Sequence, residues 1–191
     1  MKIPPPLYKG RGRLIGGTIV GVVGLIAKIG GTVNVIREAR SPTELGVWGA
    51  TVSNGLVYNP LIAGGLLLTG SGLGQRGEYD AHHELFDTAA HEPKMKKSRR
   101  KLGWGLFGGG LGVWLLSRAA AGACPNDGCT VGVLELGYYA SVGLTVPGVA
   151  LGAWSSGHDN YIKRFGGLAG RSITVTPMGG RVSGLSMSGR F

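Results

Sequence analysis

The side chains of this chain with types and spacing suited to chemistry fall into small sets. His83, Asp87 and His91 stand at i, i+4 and i+8 within EYDAHHELFDTAAH, on one face of any helix formed there. Two neighbours in that set are close enough to share a metal ion, but all three are not, because eight residues of helix rise about 12 Å. The string HELFD also departs from the zinc-protease pattern, with Asp87 where the second histidine belongs. An amphipathic connector along a membrane surface is the favoured reading, and His83, Asp87 and His91 stay only as weak metal candidates. Lys28 and Arg118 each lie near the far end of an apolar run, and Glu44 and Glu135 each open the run that follows. Charges at such depth snorkel outward or find a partner, so Lys28–Glu44 and Arg118–Glu135 pairs are expected as interface clamps. Cys124 and Cys129 bracket Pro-Asn-Asp-Gly, a turn sequence, and a disulfide is expected between them. Asn54 and Asn59, with Tyr58, flank Pro60; such amides satisfy a carbonyl freed by proline or line a small polar cavity, as Thr145 would beside Pro147. No Ser-His-Asp triad, P-loop or dinucleotide fingerprint is present, so no catalytic residue or cofactor is assigned.

These residues need elements to hold them, and the composition says which kind. Charged residues make up 16% of the chain, against roughly 25% in soluble domains. Glycine accounts for 38 of the 191 residues, nearly three times its usual share of about 7%. A soluble helical domain would lose too much backbone entropy to that much glycine, whereas membrane helices use small residues to bring backbones together. The net charge of +10 suits nucleic acid in principle. Here, however, the lysines and arginines sit at the ends of apolar runs instead of lining one surface. Positive-inside bias and attraction to anionic lipids at the cytoplasmic face account for them, with no nucleic-acid partner.

The pattern predicts an all-α integral membrane protein with four spans, about 14–34, 46–70, 102–122 and 131–154, each near the 20 residues a bilayer requires. Residues 1–13 form a basic arm, 14–70 a first transmembrane hairpin, 71–101 a cytoplasmic linker, 102–156 a second hairpin and 157–191 a cytoplasmic tail. No convincing small-x-small cleavage site follows Leu14–Ala27, so the first span is expected to remain. Residues 1–13, 71–101 and those after 157 hold four, seven and five Lys/Arg, whereas 37–45 and 123–130 hold two and none. That asymmetry places both termini in the cytoplasm, in a bacterial-type inner membrane.

The two hairpins resemble each other. Arg11-x-Arg13-Leu14 matches Arg99-x-Lys101-Leu102, Glu44-Leu45-Gly46 matches Glu135-Leu136-Gly137, and Pro60 followed by Ala63-x-Gly65 matches Pro147 followed by Ala150-x-Gly152. Gly17, Gly21 and Gly24 align with Gly105, Gly109 and Gly112 at one constant offset. A tandem, parallel repeat is the expectation. The glycines, spaced i, i+4 and i+7, should give smooth grooves of GxxxG type, with Gly148 and Gly152 a shorter one.

The tail alternates like a β-hairpin, with Gly179-Gly180 as its turn and Leu185 and Met187 opposed to Ser186 and Ser188. Its last strand, ending in Phe191, resembles the final strand of bacterial outer-membrane barrels over about ten residues, but the rest of the chain has no strands for a barrel. The sequence therefore favours a non-enzymatic structural or accessory subunit that packs through its glycine grooves against other membrane subunits or itself. The alternative is a small-solute or ion channel or carrier, assembled as a homo-oligomer.

Overall fold

The structure, a computed structural model, describes residues 6, 10–38, 54–86, 95–169, 173–178 and 184–189. Among them are four helices, α1 (Arg11–Glu38), α2 (Asn59–Phe86), α3 (Lys97–Ala121) and α4 (Asp127–Ala169). Two antiparallel strands follow, β1 (Ile173–Met178) and β2 (Gly184–Gly189), with Val175 opposite Met187 and Thr176 opposite Ser186. The expected turn at Gly179-Gly180 lies outside the described residues.

Three stretches, Arg11–Arg37, Leu56–Phe86 and Gly128–Gly166, are long and apolar enough to cross a membrane. Helix α3 is not among them: Lys97, Arg99, Arg100 and Lys101 crowd its first turns and glycine dilutes the rest.

Several boundaries differ from the expectation. Proline cannot continue a helix without removing a donor and crowding the carbonyl four residues back. Pro60 accordingly sits in the first turn of α2, with the backbone widened into a π turn over Asn54–Tyr58 just before it. The expected interruption is thus a helix start. From there α2 runs on to Phe86, well past residue 70, since no breaker intervenes and Arg76 pairs with Asp80 one turn on at 3.0 Å. Helix α4 likewise passes through Pro147 and continues to Ala169, so residues 157–169 are helical.

Packing follows the glycines. In the first hairpin a side chain on Gly17 would strike the backbone of Thr69, and one on Gly24 would meet Ile62 and Leu61 at 3.0 Å, which sets α1 antiparallel to α2. Gly10 opens α1 at φ 65°, a conformation that costs glycine little, and lies against the carbonyl of Gly72. In the second hairpin Gly103 lies on Gly152, and Gly110 on Ser141 and Thr145. The hairpins join along their second arms, where α2 and α4 run parallel: Gly70 faces Val149, and Gly77 faces Trp154 and His158. Helices α2 and α3 do not pack directly on each other.

Among the described residues the interior is small and polar, and the outside is greasy. The buried set includes Lys28, Thr32, Ser141, Thr145, Ser155, His158 and Asp159 beside only a few apolar side chains, whereas Leu67 and Leu136 are 76% and 75% exposed. Ile15, Ile19, Val22, Ile26 and Ile29 make much of α1's outer surface apolar.

Candidate functional site

Two polar clusters, one near each end of α4, carry the chemistry of the bundle. At the end shared with the cysteine loop, Lys28 on α1 donates to Glu135 Oε1 on α4 at 3.0 Å. Thr32, one turn further along α1, brings its hydroxyl to 2.9 Å from Glu135 Oε2 and 3.0 Å from its own helix's Lys28 carbonyl. Tyr139 Oη stands 3.1 Å from that threonine oxygen, and the Lys28 ammonium also lies 4.8 Å from the Tyr138 ring centroid. Lys28 is 5% exposed, so its charge is taken up by Glu135 and the tyrosine face instead of by water.

The expected partners are therefore rearranged. Glu135 holds Lys28 across the two hairpins, and Arg118 stacks over the Trp114 ring at 4.3 Å. No Arg118–Glu135 pair occurs among the described residues, where both carboxylate oxygens of Glu135 are engaged from α1 by Lys28 and Thr32. Glu44 lies outside the described residues, and Asn54 opens the π turn. A cavity of ≈ 320 Å³ beside the pair is lined by Lys28, Asn59, Arg118, Glu135 and Tyr138. Asn59, Trp114 and Tyr138 also line a larger groove of ≈ 580 Å³, with α2 and α3 as walls and α4 as floor. Thr145 is on that floor, its hydroxyl bonded to the Val142 carbonyl of its own helix.

The second cluster was not foreseen. His158 and Asp159, both fully buried on α4, sit where α2, α3 and α4 converge. His158 Nε2 donates to Glu84 Oε2 at 3.1 Å, and Glu84 also meets Lys96 at 3.4 Å. Asp159 Oδ1 accepts the backbone N–H of Lys96 at 2.6 Å, and Arg100 lies 3.5 Å from Oδ2. Lys96 is the N-cap of α3 and supplies no side-chain cap; a carboxylate from another helix instead takes the Lys96 N–H and lies at the positive end of the dipole. Around this core Trp154 donates to Asp80 at 2.9 Å, and His82 Nδ1 is hydrogen-bonded to Tyr161 Oη at 2.7 Å. One sequence signal was available: Ser155, Asp159 and Ile162 continue the inward period of α4 beyond the point where polar composition suggested a tail.

Of the metal candidates, His83 lies on α2, whereas Asp87 and His91 fall outside the described residues. No group of three or more His, Cys, Asp or Glu side chains suited to a metal occurs among the described residues. Cys124, in the turn between α3 and α4, and Cys129, in the first turn of α4, stand at disulfide distance, their Cα atoms 5.6 Å apart.

The glycines divide by helix face. Gly17, Gly21 and Gly24 lie against α2, and Gly148 and Gly152 lie against α3, on Phe107 and the Trp104 indole. Gly105, Gly109 and Gly112 meet nothing within 4 Å; the contact face of α3 is set instead by Gly103 and Gly110. The reason is phase. Gly105 is two residues beyond Gly103, about 200° around a helix of 3.6 residues per turn, on the opposite side.

No protein-family model, curated protein or solved structure matches this chain.

Proposed function

We infer that this chain is a non-enzymatic, four-crossing membrane protein that acts as a structural or accessory subunit, docking a neighbouring membrane helix on the open face of α3. Three helices of spanning length and an exterior of large apolar side chains support the membrane setting. Helix α3, antiparallel to α4 over its length, is then the fourth crossing, and both termini lie on the cytoplasmic side with the basic ends. Two hairpins meeting through parallel second arms suit a tandem repeat. The observation that carries the subunit reading is the unoccupied series Gly105, Gly109 and Gly112, when the grooves at Gly17, Gly21 and Gly24 and at Gly148 and Gly152 are filled from within. Close backbone approach along such a face is what holds helices together in lipid.

The test is association in mild detergent, read by cross-linking and mass. Gly109→Leu should abolish the complex formed by the full chain, whether with a second copy or another subunit. Gly64→Leu, on an equally open face of α2, should leave it intact. A wild-type protein that is monomeric and without stoichiometric companions defeats the reading.

The channel or carrier alternative has one observation in its favour, the cavity beside Lys28 and Glu135. Against it, the hydroxyls of Thr145 and Ser155, which lie between the two polar clusters, bond to carbonyls of their own helix, at Val142 and Leu151. Flux into liposomes that disappears in Glu135→Gln would favour transport.

A further inference from the structure

The groove between α2 and α3 and the cavity at its mouth have different linings, and together they describe one ligand. The groove is apolar and aromatic: Trp104, Phe107 and Leu111 form one wall, Ala63 and Leu66 the other. Its ≈ 580 Å³ falls within the range of about 300–1,000 Å³ usual for ligand sites. The mouth, sharing Asn59, Trp114 and Tyr138 with the groove, carries Lys28, Arg118 and Glu135. Lys28 is neutralised by Glu135, whereas Arg118 has no carboxylate partner among the described residues and lies exposed over Trp114. The mouth thus keeps one uncompensated positive charge. Asn59 Oδ1, at the junction, is buried and has no hydrogen-bond partner among the described residues.

We propose that this composite site binds an anionic phospholipid, with one acyl chain in the α2–α3 groove, the phosphodiester at Arg118, and a headgroup or glycerol hydroxyl donated to Asn59. The occupant is a membrane lipid because α2 and α3 leave the groove open sideways, along its length, to whatever surrounds the bundle. The comparable groove between α1 and α4, floored by α2, holds only ≈ 190 Å³ and is lined by glycine, threonine and aliphatic side chains with no cation, so the lipid is specific to one side. The proposal rests on the membrane reading above.

The test reconstitutes the full chain in vesicles of phosphatidylcholine carrying a tracer of brominated-chain phosphatidylglycerol or brominated-chain phosphatidylcholine. Tryptophan quenching is the readout, because Trp104 and Trp114 line the site. Brominated phosphatidylglycerol should quench at a roughly fivefold lower mole fraction, the equivalent of about 1 kcal/mol for one basic side chain near anionic lipid. Arg118→Gln should remove that advantage, and so should Ala63→Phe, which fills the groove from an exposed position. Equal quenching by both tracers in the wild type overturns the site but leaves the membrane reading intact. No quenching by either overturns both. An advantage undiminished in Arg118→Gln overturns the assignment of the headgroup.

Discussion

Glu135 accepts from Lys28 with one oxygen and faces Thr32 with the other, so a single carboxylate ties α1 to α4 between the two hairpins. A buried pair of this kind costs desolvation to form but is far more costly to leave half-made. Glu135→Gln should therefore lower stability by about 3 kcal/mol, since it strands the Lys28 ammonium in a nearly dry site. The double change Lys28→Met with Glu135→Leu should restore most of that loss, because an apolar pair removes both charges together. Loss of helicity on titration with a denaturing detergent measures both. A Glu135→Gln protein as resistant as the wild type would show that the pair is not a clamp. The partner of Glu135 was not readable from the sequence. Distance along the chain favoured Arg118, and only the docking of one hairpin on the other brings Lys28 to it.

At the scale of elements, Asp159 does for α3 what no residue of α3 does for itself. Its carboxylate takes the Lys96 N–H and faces Arg100, fixing the start of a helix whose own sequence provides no cap. Asp159→Ala should cost about 2 kcal/mol, the upper end of capping losses. It should also speed amide exchange over residues 97–101 while leaving α1 unchanged; exchange that stays slow there would exclude the capping role. Two features of α3 and α4 explain what the sequence concealed. In α3, one glycine series (105, 109, 112) matches Gly17, Gly21 and Gly24 by alignment, and another (103, 110) makes the contacts. Composition cannot choose between them. The choice is made by Trp104, whose indole covers Gly152 and donates to Ser156 at 3.1 Å. In α4, charge after Gly157 looked like an exit from the membrane, although His158 and Asp159 point inward to partners on α2 and α3. Runs of apolar residues and the cysteine turn were legible because they depend on neighbours in sequence. Cross-helix polar contacts were not.

For the whole molecule, the ends of the bundle differ in a way that fixes a test of topology. One end gathers Arg11, Arg13, Arg76, the Lys96–Lys101 segment, Lys163 and Arg164, and the other holds Arg37, Arg118 and the cysteine turn. On the topology proposed above, positive-inside bias puts the first end in the cytoplasm. Because α3 carries four cations in its first two turns and is less apolar than its neighbours, it is the helix whose placement decides the matter. If α3 crosses, the Cys124–Cys129 turn lies outside and a cysteine introduced at exposed Asn160 lies inside. If α3 instead lies along the inner surface while α4 crosses, the cysteine turn stays inside, where disulfides are rare, and Asn160 comes to the outside. In right-side-out vesicles, a membrane-impermeant maleimide should label Cys124 and Cys129 only after reduction and without lysis. Asn160→Cys, made in a chain with both native cysteines replaced by serine, should be labelled only after lysis. Labelling of the native cysteines only after lysis, with Asn160→Cys labelled without it, would reduce the crossings to three and remove α3 from the membrane. The open glycine face would then meet water, and the helix-docking role would fail with it.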